Sequence, residues 1–136
     1  MNKQALVFDT NVLISAFILP KSTARKALDK ALDIGRIVFS KSTVDEFAEV
    51  MLRSKFDKYA PLPDRLDALN QLVDLADIIS PRFTITASRD EKDDQFLELA
   101  VAANATYIVS GDQDLLILNP FRNIPILTAA DFLKEF

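Results

Sequence analysis

The sequence predicts an α/β fold: a single-domain, three-layer α/β/α arrangement with a mostly parallel central sheet. Short apolar runs, Leu6–Phe8, Ile37–Phe39, Tyr107–Val109 and Ile126–Leu127, alternate along the chain with segments of helical periodicity. Within those runs apolar residues do not alternate with polar ones, as they would in a strand with one wet face, so both sheet faces are expected to be covered. At 136 residues, of which 49% are hydrophobic, the chain is long enough for one sizeable core. Residues 1–136 are therefore read as one domain, with no repeat, low-complexity tract or linker.

Leu6–Phe8 is the first strand, after which Asn11 is placed to cap a short helix that Pro20 stops. Ser22 caps a second helix, whose apolar stripe is Ala24, Ala27, Leu28, Ala31 and Leu32, and Gly35 closes it. Ile37–Phe39 is the second strand. A third helix from about Thr43 buries Val44, Phe47, Ala48 and Met51. The Pro61–Pro63 break leads into a helix over Arg65–Ala76 with Leu66, Leu69, Leu72, Val73 and Ala76 on one face. Ile78-Ile79 reads as a short strand, with Phe83–Thr86 as its extension or as a competing assignment. A strongly periodic helix covers Asp93–Asn104, Tyr107–Val109 is a strand, and Asp114–Leu118 starts a short helix. Ile126-Leu127 is the last strand, followed by a helix over Ala129–Lys134.

Composition narrows the chemistry. No apolar run approaches the length of a membrane span, and no basic-then-apolar segment opens the chain, so a cytoplasmic location is expected. With no cysteine there is neither a disulfide framework nor thiolate chemistry. With no histidine, zinc is disfavoured and the usual general base is missing. Any metal would be held by oxygen, which favours Mg²⁺ or Mn²⁺. Sixteen basic against twenty acidic residues give a net charge of −4, with no global signature of a nucleic-acid binder. That balance misleads if several acids are gathered at one metal site.

The acids do fall in one place. In an open parallel sheet, ligands sit at the carboxyl ends of the strands. Asp9 follows the first strand there, and Ser110-Gly111-Asp112-Gln113-Asp114 follows Tyr107–Val109 in the same way. Ser40 follows the second strand, and the next helix carries Asp45 and Glu46 in its first turn. Asp93 and Asp94 open the helix that precedes Tyr107–Val109. Each acid alone has an ordinary structural explanation. Asp9 starts a turn, Glu46 completes a capping box from Thr43, and the others complement helix N-termini. Caps need not all fall at one end of a sheet, however, and together these acids point to a site.

Asp93 is distinguished by its neighbours. Phe96, Leu97 and Ala100 follow it at helical spacing, placing it on the buried stripe, whereas Asp94 aligns with Leu97, Glu98 and Val101 nearer the boundary. A buried carboxylate needs a compensating partner. No basic residue occupies the matching strand ends, so a cation is the expected partner and Asp93 the preferred ligand.

With these residues collected, the sequence resembles the PIN-domain ribonucleases, specifically the toxin-component branch of toxin–antitoxin systems. The carriers are "FDTNVLIS" at 8–15, "STVDEF" at 42–47, "RDEKDDQFLELA" at 89–100 and "YIVSGDQDLL" at 107–116, and the match runs essentially end to end. The resemblance implies catalytic and metal-binding roles for Asp9, Glu46, Asp93 and Asp112, with Asp114 as a frequent fifth acid. It implies that Asn11 orients the first aspartate and that Ser110 supplies the hydroxyl before the last acids. Glu91-Lys92 departs from the Pro-Asp often found in this branch, without removing any mapped acid. The implied activity is Mg²⁺- or Mn²⁺-dependent cleavage of single-stranded RNA. The implied partners are an antitoxin protein and a second copy of the chain, forming a homodimer.

Setting the five acids aside leaves sixteen basic against fifteen acidic residues, so RNA would be held by local contacts. Arg25, Lys26 and Lys30, or Arg53, Lys55 and Lys58, are candidates for these, although either group also reads as a solvated helix face. Two rival functions are carried forward. A haloacid-dehalogenase-like phosphatase shares the strand-then-"FDTNVL" opening, but Asn11 stands where its proton-donating acid belongs, and an amide cannot fill that role. A non-catalytic module on the PIN fold is the other, disfavoured because every mapped acid is present.

Overall fold

A computed structural model describes residues 4–136, so the first three residues of the expected domain lie outside it. Five strands, β1 (Gln4–Phe8), β2 (Gly35–Phe39), β3 (Asp77–Ile78), β4 (Tyr107–Val109) and β5 (Ile126–Leu127), form one sheet in the order β3-β2-β1-β4-β5. Every pairing is parallel, so the mostly parallel expectation becomes a fully parallel sheet. The helices are α1 (Thr10–Ile18), α2 (Thr23–Ile34), α3 (Lys41–Met51), α4 (Leu62–Leu75), α5 (Asp94–Ala103), α6 (Gln113–Leu116) and α7 (Ala129–Lys134).

The pleat explains why the strand runs are apolar throughout. Leu6, Phe8, Ile37, Phe39 and Val109 pack into one cluster with residues of α1, α2, α3, α4 and α7. Ala5, Val7, Val38, Ile108 and Ile126 turn the other way, into a second cluster with Phe96, Leu97 and Leu99 of α5 and Leu115 of α6. Successive residues serve opposite layers, and neither face is left to water. Gly35 ends α2 and begins β2, opposite Gln4 in the register. A Cβ at Gly35 would fall far inside contact distance of the Gln4 carbonyl.

Several boundaries differ from the sequence reading. Asp9, not Asn11, caps α1, its side chain accepting the Val12 N–H. Helix α3 starts earlier than Thr43, at Lys41. Ser40 is its cap and forms a reciprocal capping box with Thr43, so the expected Thr43–Glu46 box does not form. Helix α4 starts at Leu62 and takes Pro63 into its first turn, where a missing N–H costs nothing. Strand β3 lies one residue earlier than expected, although the Ile79 N–H still reaches the Phe39 carbonyl at 2.7 Å. Phe83–Thr86 forms no strand; within it, the Ile85 N–H donates to the Glu98 carboxylate at 2.9 Å. A 3-10 turn at Glu91–Asp93 precedes α5, and α6 begins at Gln113 and ends at Leu116.

Arg65, which the sequence places at the start of its helix, stands three residues inside it. It lies on the buried face of α4 with Leu69 and Leu72, and is 1% exposed. Its guanidinium donates to the carbonyls of Ala60 (3.0 Å), Met51 (2.9 Å) and Arg53 (2.9 Å), and to the Asp57 carboxylate. One planar fork thus gathers the end of α3, the following loop and the start of α4, a geometry that arginine supplies and lysine does not.

Candidate metal-binding active site

The site forms where β1 and β4 end side by side. Their register pairs Phe8 with Val109, so the residues that follow, Asp9 and Ser110, leave the sheet together. The Asp9 N–H donates to the Val109 carbonyl at 3.0 Å. Of the two Asp9 carboxylate oxygens, Oδ1 accepts the Val12 N–H at 2.9 Å and Oδ2 accepts the Ser110 hydroxyl. Ser110, fully buried, also accepts the Asp112 N–H at 3.0 Å, and Asp112 Oδ1 accepts the Asp114 N–H at 2.9 Å. A relay of short turns therefore fixes three acids relative to one another.

Glu46 and Asp93 arrive from other elements. Helix α3 is tied to β2 by the stack of Phe47 on Phe39, with ring centroids 5.9 Å apart and planes 9° from parallel. The adjacent Glu46 accepts a hydrogen bond from the Thr10 hydroxyl at the start of α1. Asp93 ends the 3-10 turn before α5. Asp9, Glu46, Asp93 and Asp112 line one cavity of about 90 Å³, with Thr10, Asn11, Val50 and Phe96 completing its wall. Carboxylate oxygens of Asp93, Asp112 and Asp114 lie within 4.8 Å of one another.

The other candidates have different surroundings. Asp94 is buried but engaged elsewhere: its Oδ1 accepts the N–H groups of Ala87 (3.1 Å) and Ser88 (2.8 Å) and so holds the preceding loop. Asp45 pairs at the surface with Lys41. Asn11 lines the cavity, but the hydrogen bonds that orient Asp9 come from the Ser110 hydroxyl and the backbone at Val12 and Gly111. Two contributors escaped the sequence reading. Thr10 steadies Glu46, and Arg89 places Nε 3.9 Å from Asp114. Position alone, beside Asp9 and within the "RDEKDD" stretch, was the available signal for each.

Electrostatics show what the cluster lacks. Burial pushes the Asp93 carboxyl up to about 7, reinforced by the neighbouring Asp112 and more weakly by Asp90 and Asp9. Burial also raises Asp9, against the lowering effect of its hydrogen bonds to Ser110 and Val12. Asp93 Oδ2 is buried with no hydrogen-bond donor. An orphaned carboxylate oxygen among other carboxylates, in a cavity with room for ions and water, fits a hard divalent cation. The donor set is entirely oxygen.

Comparison with known proteins shows the family. Residues 5–114 match the PIN domain, and the chain belongs to the PIN-domain family. An uncharacterized protein of Methanocaldococcus jannaschii is 32% identical over 144 residues, spanning 98% of this chain and 92% of that one. Among solved structures, VapBC2 from Rickettsia felis, bound to a DNA fragment from its promoter, superposes with a TM-score of 0.59 at 14% identity. That match covers 90% of this chain and 96% of the other, and at such identity the likeness is one of fold. Among the described residues, no helix is long and apolar enough to cross a membrane.

Proposed function

We propose that this protein is a Mg²⁺- or Mn²⁺-dependent ribonuclease that hydrolyses phosphodiester bonds of single-stranded RNA. The observation that carries the reading is the convergence of Asp9, Glu46, Asp93 and Asp112, from four separate chain segments, on one small cavity. These four would hold the ion or ions, with Asp114 beside Asp93 and Asp112. When bound, the ion supplies an acidified water and positive charge for the attacked phosphate. The chain's own work is positioning. Ser110 and the Val12 N–H fix Asp9, Thr10 fixes Glu46, and the Asp114 N–H fixes Asp112. With no histidine or cysteine in the chain, no imidazole base or thiolate is available to replace metal chemistry.

The expected result is cleavage of single-stranded RNA by purified protein in Mg²⁺ or Mn²⁺, lost in EDTA. Robust cleavage in chelator would overturn the metal mechanism. Release of phosphate from small monoesters, with RNA left intact, would favour the phosphatase instead.

The cellular role we infer is that of the toxin in a toxin–antitoxin pair, supported by the motif resemblance and by the fold shared with VapBC2. Expression of the chain alone should then arrest growth, and co-expression of a small protein encoded beside it should relieve the arrest by binding it. Growth unaffected by an RNA-cleaving protein would remove the toxin role and leave the chemistry standing.

A further inference from the structure

We propose that a recess adjoining the acid-lined cavity receives one nucleobase of the RNA strand, beside the bond to be cleaved. This rests on the ribonuclease reading and extends it to the substrate. The recess has a volume of about 280 Å³ and is lined by Asn11, Val12, Ser15, Ala24, Gly111 and Asp112. It shares Asn11 and Asp112 with the acid-lined cavity, so the two adjoin. The acid-lined cavity, at about 90 Å³, has room for ions and water but not for a nucleoside. An RNA whose phosphate reaches the acids must therefore lay its neighbouring nucleoside on the adjoining surface. The recess lies near the small end of ligand sites, about 300 Å³, which suits one planar ring.

Its chemistry fits a base better than a phosphate. Val12 and Ala24 provide apolar surface, and Asp112, shared with the acid-lined cavity, is the only charged residue of the lining among the described residues. Next to a cluster of acids, a second phosphate would be repelled, whereas a neutral ring is not. Asn11 and Ser15 lie one turn apart on the same face of α1, and neither side chain hydrogen-bonds to another described residue. An amide with both donor and acceptor capacity can read a base edge, as side-chain amides do in RNA recognition. Small side chains keep the recess open. A Cβ added at Gly111 would meet nothing within 4 Å, and Ala24 sits on a half-buried position of α2.

The test fills the recess from one side and empties it from the other. Ala24→Leu, with Ala24→Phe as a second filling variant, is compared with wild type on single-stranded RNA in Mn²⁺. Binding is read separately by fluorescence anisotropy in Ca²⁺, with the RNA checked to be intact. Filling should raise KM and weaken RNA binding about tenfold, leaving kcat, Mn²⁺ affinity and melting temperature near wild type. An RNA abasic at the nucleotide beside the cleaved bond should show the same loss with wild-type protein, and filling should add little to it. Wild-type cleavage indifferent both to the filling variants and to the missing base would overturn the recess alone. A folded, Mn²⁺-loaded wild type that cleaves no RNA would overturn the ribonuclease reading, and the recess with it.

Discussion

Asp93 and Glu46, two of the acids proposed to hold the ion, differ in their surroundings. Asp93 titrates near 7 against an ordinary 3.8, because burial and Asp112 disfavour its charge. Between those two values the folded protein keeps a proton that the unfolded chain has released, so folding is progressively weakened as pH rises, and the loss levels off above about 7. Asp9, also raised, acts in the same direction. Metal-free protein should therefore melt at lower temperature as pH climbs from about 5 to 8, and Asp93→Asn should flatten the trend. A melting temperature in EDTA that is level or rising over that range would contradict the assignment. Glu46 has no capping duty, since Ser40 and Thr43 close the box between them, and its hydrogen bond from Thr10 can be accepted by an amide oxygen as well. Glu46→Gln should keep stability within about 1 kcal/mol of wild type while sharply weakening Mn²⁺ binding and RNA cleavage. Calorimetric metal titration beside a melting curve decides it. Unchanged metal affinity would leave the cavity short of one wall.

Helices and strands follow from periodicity, and their ends follow from chemistry that several neighbours compete to supply. Around α3, both Ser40–Thr43 and Thr43–Glu46 have capping-box spacing, and only the position of Phe39 at the end of β2 decides between them. Asp9 caps α1 and lines the cavity at once, so the structural role expected of it as a turn residue is compatible with a place at the candidate site. The apolar stripes placed nearly every helix, because they repeat a spacing visible along the chain, and the strand ends marked where the acid-lined cavity lies. Arg65 was illegible for the opposite reason. Its position one turn before Leu69 put it on the buried face, yet the carbonyls that make its burial tolerable come from a loop with no pattern of its own. Arg65→Ala should destabilise the protein by about 2–4 kcal/mol through those abandoned carbonyls, and Arg65→Lys should restore little of it. Denaturant midpoints measure both. A loss under about 0.5 kcal/mol, the scale of an ordinary surface change, would show that solvent satisfies the loop without it.

Across the whole molecule, β1 lies in the middle of the sheet, with β2 and β3 to one side and β4 and β5 to the other. The strand order reverses at β1, and the acids collect at that reversal, where connections leaving in opposite directions open a crevice. Its net negative charge thus says little about substrate, since a share of the acids is concentrated at one place where cations can offset them. The contact between β1 and β2 depends on Gly35, which lets the two backbones approach opposite Gln4, at the other end of the strands from the acids. Replacing Gly35 with alanine should force those strands apart and carry α3, with Glu46, away from Asp9. Melting temperature and metal affinity should fall together, and a variant that keeps both would refute this. A genetic hunt for inactive alleles would then return two kinds of lesion: changes among the acids, which leave a sound but idle protein, and changes at this distant glycine, which mimic them by inheritance of position and whose damage cooler growth would partly mend.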